Sequence, residues 1–262
     1  MVKKALLRLL DGEKLSRDDA TAAFAQLFDG AVSPALAGSF LTALRLSGET
    51  REVVTGAASI MRQRAVKIPR KVGIVADTCG TGGDGSFSFN ISTAAAILGA
   101  ACGVTVAKHG NRSVSSRCGS ADVLETLGMN IELAPAAARR MLNREGFAFL
   151  FAPLYHPAMK HIAPVRKELG FRTLFNLLGP LANPAAASIQ ILGVGSPELL
   201  DTLPVVLCDL GVRRAWVFYG SEGIDEISPC GKTMVVSVEE TRIQRFAIAP
   251  RDFGMKKASL DE

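Results

Sequence analysis

The stretch Asp77-Thr78-Cys79-Gly80-Thr81-Gly82-Gly83-Asp84-Gly85, followed shortly by Asn90-Ile91-Ser92-Thr93, decides the fold of this 262-residue chain. It lies between a β-branched run at Val72 to Ala76 and an apolar run at Ile91 to Cys102, which predict a strand and a helix. Four glycines in six positions let a backbone approach a ligand closely and turn its N–H groups toward an anion. The sequence therefore predicts an α/β unit with a phosphate cradle between its strand and its helix.

Polar side chains at the start of this helix belong to the same cradle. Asn90, Ser92 and Thr93 stand where side chains and the unpaired N–H groups of a first helical turn hold phosphate oxygens. The glycines also match G-x-G-x-x-G, which is a weak signal alone, and the helix begins several residues too late for a dinucleotide site. No Lys-Ser or Lys-Thr follows them, as a Walker A loop requires. A glycine-rich surface turn is the alternative that this stretch leaves open.

A second polar cluster follows the next predicted strand, Val104 to Ala107, and precedes a predicted helix at Ala121 to Leu127. Three cations, three serines, an asparagine and a glycine within ten residues give a density of donors suited to pyrophosphate. Two such loops in adjacent βα units meet at one edge of a parallel sheet, which favours a shared site over a solvated basic loop. The cluster consists of Lys108, His109, Gly110, Asn111, Arg112, Ser113, Val114, Ser115, Ser116 and Arg117.

Adjacent carboxylates at Asp225 and Glu226 follow a further predicted strand, Ala215 to Phe218. On a loop both can reach a hard cation, and Mg²⁺ bound to phosphates uses one or two carboxylates together with substrate oxygens. An exposed acidic turn is the alternative. His156 and His161 are five residues apart, a poor spacing for one helix face, so we expect structural or substrate-lining histidines and not metal ligands.

The order of patterns along the chain predicts two kinds of structure. Helical spacing runs from Ala5 to about Arg64, with capping signals at Ser16, Ser33 and Thr50. Strand and helix patterns then alternate, which indicates a largely parallel sheet. A second helical stretch lies between Pro157 and Asn183.

Composition excludes several classes of protein. At 48% hydrophobic and 21% charged residues the chain has the composition of an ordinary globular protein. Apolar runs such as Ala94 to Ala101 fall short of the roughly 18 residues of a membrane span, so we expect a cytoplasmic location and no membrane contact. Five cysteines without a C-x-x-C pair suggest neither a disulfide framework nor a zinc site. A net charge of +5 suits small phosphorylated molecules as well as nucleic acid.

Taken together, these segments resemble the signatures of the anthranilate phosphoribosyltransferase family and occur in the family's order. The segment from Arg172 to Pro184 is similar to the stretch around that family's substrate pocket. The resemblance extends from the first helices to Gly254.

The family resemblance implies an α/β fold of the nucleoside phosphorylase and phosphoribosyltransferase type. We expect a small N-terminal helical domain at 1–70 with a return at 163–184, and a larger α/β domain with a mostly parallel sheet at 71–162 and 185–262. The active site would lie between them, and the helical domain would form a homodimer contact. Family members continue past the Asp252-Phe253-Gly254 stretch, so the chain looks shortened at its C-terminus and an exposed apolar face of the sheet is expected.

The resemblance also implies a reaction and its residues: transfer of the 5-phosphoribosyl group from phosphoribosyl pyrophosphate to the amine of anthranilate, in tryptophan biosynthesis, with Mg²⁺ and without a protein nucleophile. Gly80, Asn111 and Arg166 would bind anthranilate, and Ser92, Asp225 and Glu226 would serve Mg²⁺. Contacts to phosphoribosyl pyrophosphate would come from Gly80, Gly83, Asp84, Ser88, Asn90, Ile91, Ser92, Thr93, Lys108, His109, Gly110, Asn111, Arg112, Ser113, Val114, Ser115, Ser116 and Ser120.

Rival functions remain open on the sequence. Pyrimidine nucleoside phosphorylases share the expected fold, but their loops differ from Lys108 to Ser116. A weakly active or inactive relative that binds nucleic acid would suit the pI near 9.1, although such relatives lack carboxylates like Asp225 and Glu226. Phe87 and Phe89 depart from the small or polar residues of many family members.

Overall fold

The computed structural model describes residues 1–68, 73–86, 88–113 and 118–259. Phe87 and the predicted donor-binding residues Val114, Ser115 and Ser116 lie outside the described residues. The helices are α1 (Val2–Leu10), α2 (Arg17–Phe28), α3 (Pro34–Ser47), α4 (Arg51–Arg64), α5 (Ile91–Ala101), α6 (Ser120–Thr126), α7 (Pro135–Glu145), α8 (Ala152–Tyr155), α9 (Ala163–Leu169), α10 (Phe175–Leu181) and α11 (Leu199–Asp209). The strands are β1 (Ala76–Gly80), β2 (Val106–Gly110), β3 (Phe147–Phe151), β4 (Ile189–Gly193), β5 (Arg214–Gly220), β6 (Thr233–Glu239) and β7 (Arg242–Ile248).

The first four helices include three that begin where their capping residues predict. The Ser16 side chain accepts a hydrogen bond from the Asp19 N–H, and Asp19 accepts one from the Ser16 N–H in return. The side chains of Ser33 and Thr50 each accept a hydrogen bond from the backbone N–H three residues later, at the starts of α3 and α4. These predicted helix starts are therefore confirmed. No helix in the described ranges is long and apolar enough to cross a membrane.

The segment that holds α9 and α10 packs on these N-terminal helices. Phe175 of α10 lies with its ring centroid 5.7 Å from that of Phe24 and 5.9 Å from that of Phe28, both on α2. Val165 of α9 is buried in the same core. Such edge-on aromatic contacts are favourable beyond their buried area. The domain boundaries at residues 70, 162 and 184 remain a proposal that this packing supports.

Within the described residues, seven strands form one sheet in the order β3-β2-β1-β4-β5-β6-β7. The pairs from β3 to β5 are parallel, while β5–β6 and β6–β7 are antiparallel. The prediction of an α/β fold with a mostly parallel sheet is confirmed. Strand order reverses between β1 and β4, and ligands of open parallel sheets bind outside the carboxyl ends of the strands at such a point.

The predicted bounds of two strands are wrong. β1 begins at Ala76 and runs to Gly80, and β2 begins at Val106 and runs to Gly110, so polar residues assigned to loops pair within the sheet. The carboxylate of Asp77 is tolerated there because it accepts hydrogen bonds from the Asn183 side chain at 2.8 Å and from the His109 N–H at 3.3 Å. The strands β3, β6 and β7 and the helices α7, α8 and α11 were not predicted from the sequence.

Apolar side chains are exposed on α5 and on the antiparallel strands. Ile97 and Leu98 of α5 are 41% and 65% exposed, and Met234 and Ile243 are exposed on β6 and β7. The exposed apolar face expected of the sheet stays a prediction, since these side chains lie on a helix and on the edge hairpin.

Arg62 of α4 joins the C-terminal ends of two later helices, α10 and α11. Its guanidinium donates to the carbonyl oxygens of Leu181 and Leu210, at 2.5 and 2.7 Å, where α10 and α11 end. A cation is favoured at helix C-termini, where carbonyls have no helical partner. Burial lowers the pKa of Arg62 to about 10, and the group stays charged near neutral pH.

We predict that Arg62→Met lowers the free energy of unfolding by about 2–4 kcal/mol, because two carbonyls lose a buried charged donor. Arg64→Met is the matched control: the exposed Arg64 pairs with Asp29, and its loss should cost about 0.5 kcal/mol or less. Urea unfolding of the two variants measures both values. Equal losses would contradict the assigned role of Arg62.

Candidate active site

A cleft of about 820 Å³ opens at the carboxyl ends of β1 and β2, with α9 and α10 on its other side. Most of the residues predicted for the site line this one cleft. They are Gly80, Gly83, Asn90, Ser92, Thr93, Lys108, His109, Gly110, Asn111, Arg112, Ser113, Ser120 and Arg166.

Five predicted site residues do not line the cleft: Asp84, Ser88, Ile91, Asp225 and Glu226. Asp225 still touches its edge, since the Gly82 N–H donates to the Asp225 carboxylate at 2.8 Å. Asp84 in turn accepts from the Asp225 N–H at 3.4 Å. Ser88 is exposed, and Ile91 is the first residue of α5. The structure therefore gives Ser88 and Ile91 no side-chain position in the cleft.

The glycine-rich loop has the shape that its sequence predicts. Gly82, Gly83 and Gly85 have φ angles of 64°, 79° and 73°, which favour glycine because other residues are strained there. At Gly80 a Cβ atom would lie 2.3 Å from an Asp225 carboxylate oxygen. Absence of side chains at these positions leaves backbone N–H groups accessible to an anion. Phe89, beyond the loop, is 72% exposed.

Lys108 places a buried cation below the glycine-rich loop. The residue is 2% exposed, and its ammonium donates to the Thr78 carbonyl at 2.7 Å and to the Ser92 hydroxyl at 3.2 Å. Burial lowers the pKa of Lys108, and the charge of nearby Asp77 opposes that shift. An ammonium held in this way is suited to a phosphate ligand at the mouth of the cleft.

The two carboxylates after β5 lie in each other's electrostatic field. Burial and the negative charges of Asp225 and Asp84 raise the pKa of Glu226 to about 8, although the charge of Lys108 opposes the shift. Burial likewise raises the pKa of Asp225. A cation between such groups relieves their repulsion, so their placement fits a divalent metal ion.

Two histidines meet on the floor of the cleft. The Nε2 atoms of His109 and His156 lie 3.2 Å apart, and Nδ1 of His109 donates to the Gly179 carbonyl at 3.1 Å. Burial lowers the pKa of His109 to about 4 and that of His156 to about 3, so both are neutral near pH 7. His161 lies apart from them, against Gly30 of the helical unit.

Arg166 and Asn111, the two side chains predicted to bind anthranilate, both line the cleft. The guanidinium of Arg166 lies 5.3 Å from the centre of the Phe175 ring, and burial lowers its pKa. The Asn111 carbonyl accepts from the Ser120 hydroxyl at 3.2 Å, which joins the end of β2 to the start of α6. Arg112 also lines the cleft, but its guanidinium bonds to carboxylates of α6.

Sequence reasoning gave no role to Thr81 or Arg172, both of which line the cleft. The Arg172 guanidinium donates to the Thr81 carbonyl at 3.1 Å. The available signal was the position of Arg172 at the start of the segment that resembles a substrate pocket, since an arginine there must face either solvent or the cleft.

The fold and this cleft define a glycosyltransferase. Two family models match the chain, the helical bundle domain of the glycosyl transferase family over residues 3–65 and its a/b domain over residues 72–262. An anthranilate phosphoribosyltransferase of Pelotomaculum thermopropionicum is 50% identical over 99% of this chain and 75% of its own length. The chain belongs to the anthranilate phosphoribosyltransferase family.

Solved structures agree with this assignment. The anthranilate phosphoribosyltransferase of Thermus thermophilus is 44% identical, with a TM-score of 0.91 over 98% of this chain and 76% of that one. The Saccharomyces cerevisiae enzyme, in a complex with phosphoribosyl pyrophosphate and Mg, is 30% identical, with a TM-score of 0.90 over 99% of this chain and 76% of that one.

The raised pKa of Glu226 predicts a pH-dependent stability. Between the ordinary pKa of 4.5 and about 8 the folded chain holds a proton that the unfolded chain releases, so the free energy of unfolding falls as pH rises through this window. Glu226→Gln removes the titration. Without metal, we compare the free energies of unfolding of the variant and the unmodified chain. Their difference should shift in favour of the variant by about 2 kcal/mol when the pH is raised from about 5 to about 9.

Urea unfolding in EDTA at both pH values measures this gain. Glu222→Gln is the matched control, because Glu222 lies in the same loop with a lowered pKa and should show no gain over this window. An equal, pH-independent effect of both substitutions would contradict the assignment.

Proposed function

We propose that this chain transfers the 5-phosphoribosyl group from phosphoribosyl pyrophosphate to the amine of anthranilate, giving N-(5-phosphoribosyl)anthranilate and pyrophosphate in tryptophan biosynthesis. The observation that supports this most is that one cleft holds both an anion cradle and the guanidinium of Arg166, whose Cζ lies 5.3 Å from the centre of the Phe175 ring. A relative that is half identical carries the name of this activity.

The donor's pyrophosphate would lie between the glycine-rich loop and Lys108. Residues Gly80 to Gly83 and the first turn of α5 line this space, and a helix N-terminus favours a phosphate. Thr93 supports this placement, because its hydroxyl is buried and has no hydrogen-bond partner within the described structure.

Anthranilate would lie on the opposite side, with its carboxylate on Arg166 and its ring among the apolar atoms of α10. A guanidinium binds a carboxylate with two parallel hydrogen bonds, which orients the ring and its amine. Asn111 would contact the acceptor from the end of β2. The neutral histidines His109 and His156 add no charge that competes for the carboxylate.

Mg²⁺ would be held by Asp225, Glu226 and Ser92 together with donor oxygens. In the described ranges no three acidic, histidine or cysteine side chains surround one metal position. Mg²⁺ on a phosphate substrate needs only one or two carboxylates, and the crowded negative charge of this loop fits that use. The ion would neutralise the negative charge that develops on pyrophosphate.

The chain's own residues position both substrates and stabilise charge. The sugar carries its own leaving group, so a protein nucleophile is unnecessary. Lys108 would offset charge on the departing pyrophosphate, and the two sides of the cleft would aim the amine at the anomeric carbon. A homodimer through the helical unit and a cytoplasmic location are further proposals. Exposed Leu7, Leu10 and Leu46 on α1 and α3 support the homodimer.

An anthranilate fluorescence assay with phosphoribosyl pyrophosphate and Mg²⁺ tests the proposal. We expect metal-dependent loss of anthranilate, and a fall of about 100-fold or more in the Asp225→Ala, Glu226→Ala double variant. Glu222→Ala is the control in the same loop, and it should stay within about twofold.

Two outcomes would count against the proposal. Phosphorolysis of a pyrimidine nucleoside without use of anthranilate would favour the phosphorylase reading. Absence of turnover together with strongly salt-dependent binding of single-stranded nucleic acid would favour the binding-protein reading.

A further inference from the structure

Arg172 lies between α9 and α10, and its side chain reaches across the cleft to the glycine-rich loop. Its Nη2 atom donates to the Thr81 carbonyl at 3.1 Å. A Cβ atom built at Gly83 would lie 1.5 Å from Nη1 of Arg172, so the guanidinium packs directly on the bare α-carbon of Gly83. The Arg172 side chain therefore contacts the backbone of the glycine-rich loop at two residues.

Thr81 is the residue through which this loop is anchored. It is 8% exposed, its N–H donates to the Gly193 carbonyl at 2.9 Å, and its hydroxyl accepts from the Gly195 N–H at 2.9 Å. The end of β4 thus holds the N–H and the hydroxyl of Thr81, and Arg172 holds its carbonyl. The peptide that follows Thr81 is therefore held at both ends, with its carbonyl on Arg172 and its N–H on the Asp225 carboxylate.

We propose that Arg172 is a positioning residue, whose guanidinium holds the loop from Thr81 to Asp84 in the shape that turns its N–H groups toward the donor's pyrophosphate. This inference rests on the proposed function. A guanidinium is a flat fork that can donate to a carbonyl while its face covers a glycine, and an ammonium at the same place cannot do both. The geometry predicts that lysine fails to replace Arg172.

A neighbouring arginine provides the matched control. Glu49, just beyond α3, has a pKa raised by burial, and the charges of Arg45 and Arg172 both oppose that shift. Arg45 thus shares with Arg172 its electrostatic neighbour, but it lies in α3 and does not line the cleft. Removal of Arg45 tests whether loss of a cation near Glu49 is by itself enough to disturb donor binding.

Steady-state kinetics of Arg172→Ala, Arg172→Lys and Arg45→Ala test the inference. Both Arg172 variants should raise the KM for phosphoribosyl pyrophosphate by about tenfold or more, with the KM for anthranilate within about twofold. Arg45→Ala should change neither. Guanidinium at about 20 mM should restore part of the donor affinity of Arg172→Ala, and methylammonium should not. Loss of folded protein alone would lower kcat and leave both KM values unchanged.

Failure of the inference about Arg172 can be distinguished from failure of the proposed function. The inference is overturned if the unmodified chain is active and neither Arg172 substitution changes the KM for phosphoribosyl pyrophosphate. It is also overturned if the Arg172→Lys variant has the same KM for phosphoribosyl pyrophosphate as the unmodified chain. An unmodified chain without turnover overturns the proposed function instead. Calorimetric titration with inorganic pyrophosphate and Mg²⁺ then decides the inference: weaker binding to both Arg172 variants supports it, and equal binding overturns it.

Discussion

The buried ammonium of Lys108 is the constraint on which the rest of the site depends. An ion of this size loses several kcal/mol when it leaves water, unless nearby groups compensate. The Thr78 carbonyl, the Ser92 hydroxyl and the charge of Asp77 do so here. Asp77 is held in turn by Asn183 and by the backbone of the neighbouring strand. The interior polar network thus fixes a cation where two strands end.

The sheet order brings the other functional groups to this cation. β1 pairs with β2 on one side and with β4 on the other, so its glycine-rich end lies between the ends of those strands. The acidic loop after β5 is one strand beyond β4. The Gly82 N–H is held by the carboxylate of Asp225. Under the proposed function, a phosphate oxygen of phosphoribosyl pyrophosphate would compete with this carboxylate for the Gly82 N–H, and we expect it to displace Asp225. The helices α9 and α10 line the other side of the cleft, and Arg62 of α4 bonds to the carbonyl at the end of α10.

Sequence reasoning predicted the fold class, and most of the site residues it named line the cleft, because its signals are local. Glycines, capping residues and clustered donors report on backbone shape at their own positions, and family resemblance supplied their roles. The predicted strands ended before Asp77 and Lys108, although both residues lie within strands. Polar residues favour a loop prediction when the partners that allow their burial are unknown. Arg172 was missed for a related reason: its partner Thr81 is 91 residues away in the chain, and only packing brings them together.

The placement of the pyrophosphate can be seen directly in a crystal structure of this chain with phosphoribosyl pyrophosphate and Mg²⁺. We expect the pyrophosphate between the glycine-rich loop and the Lys108 ammonium, with the Asp225 carboxylate released from the Gly82 N–H. A donor bound outside this space, with Gly82 still bonded to Asp225, would contradict this placement.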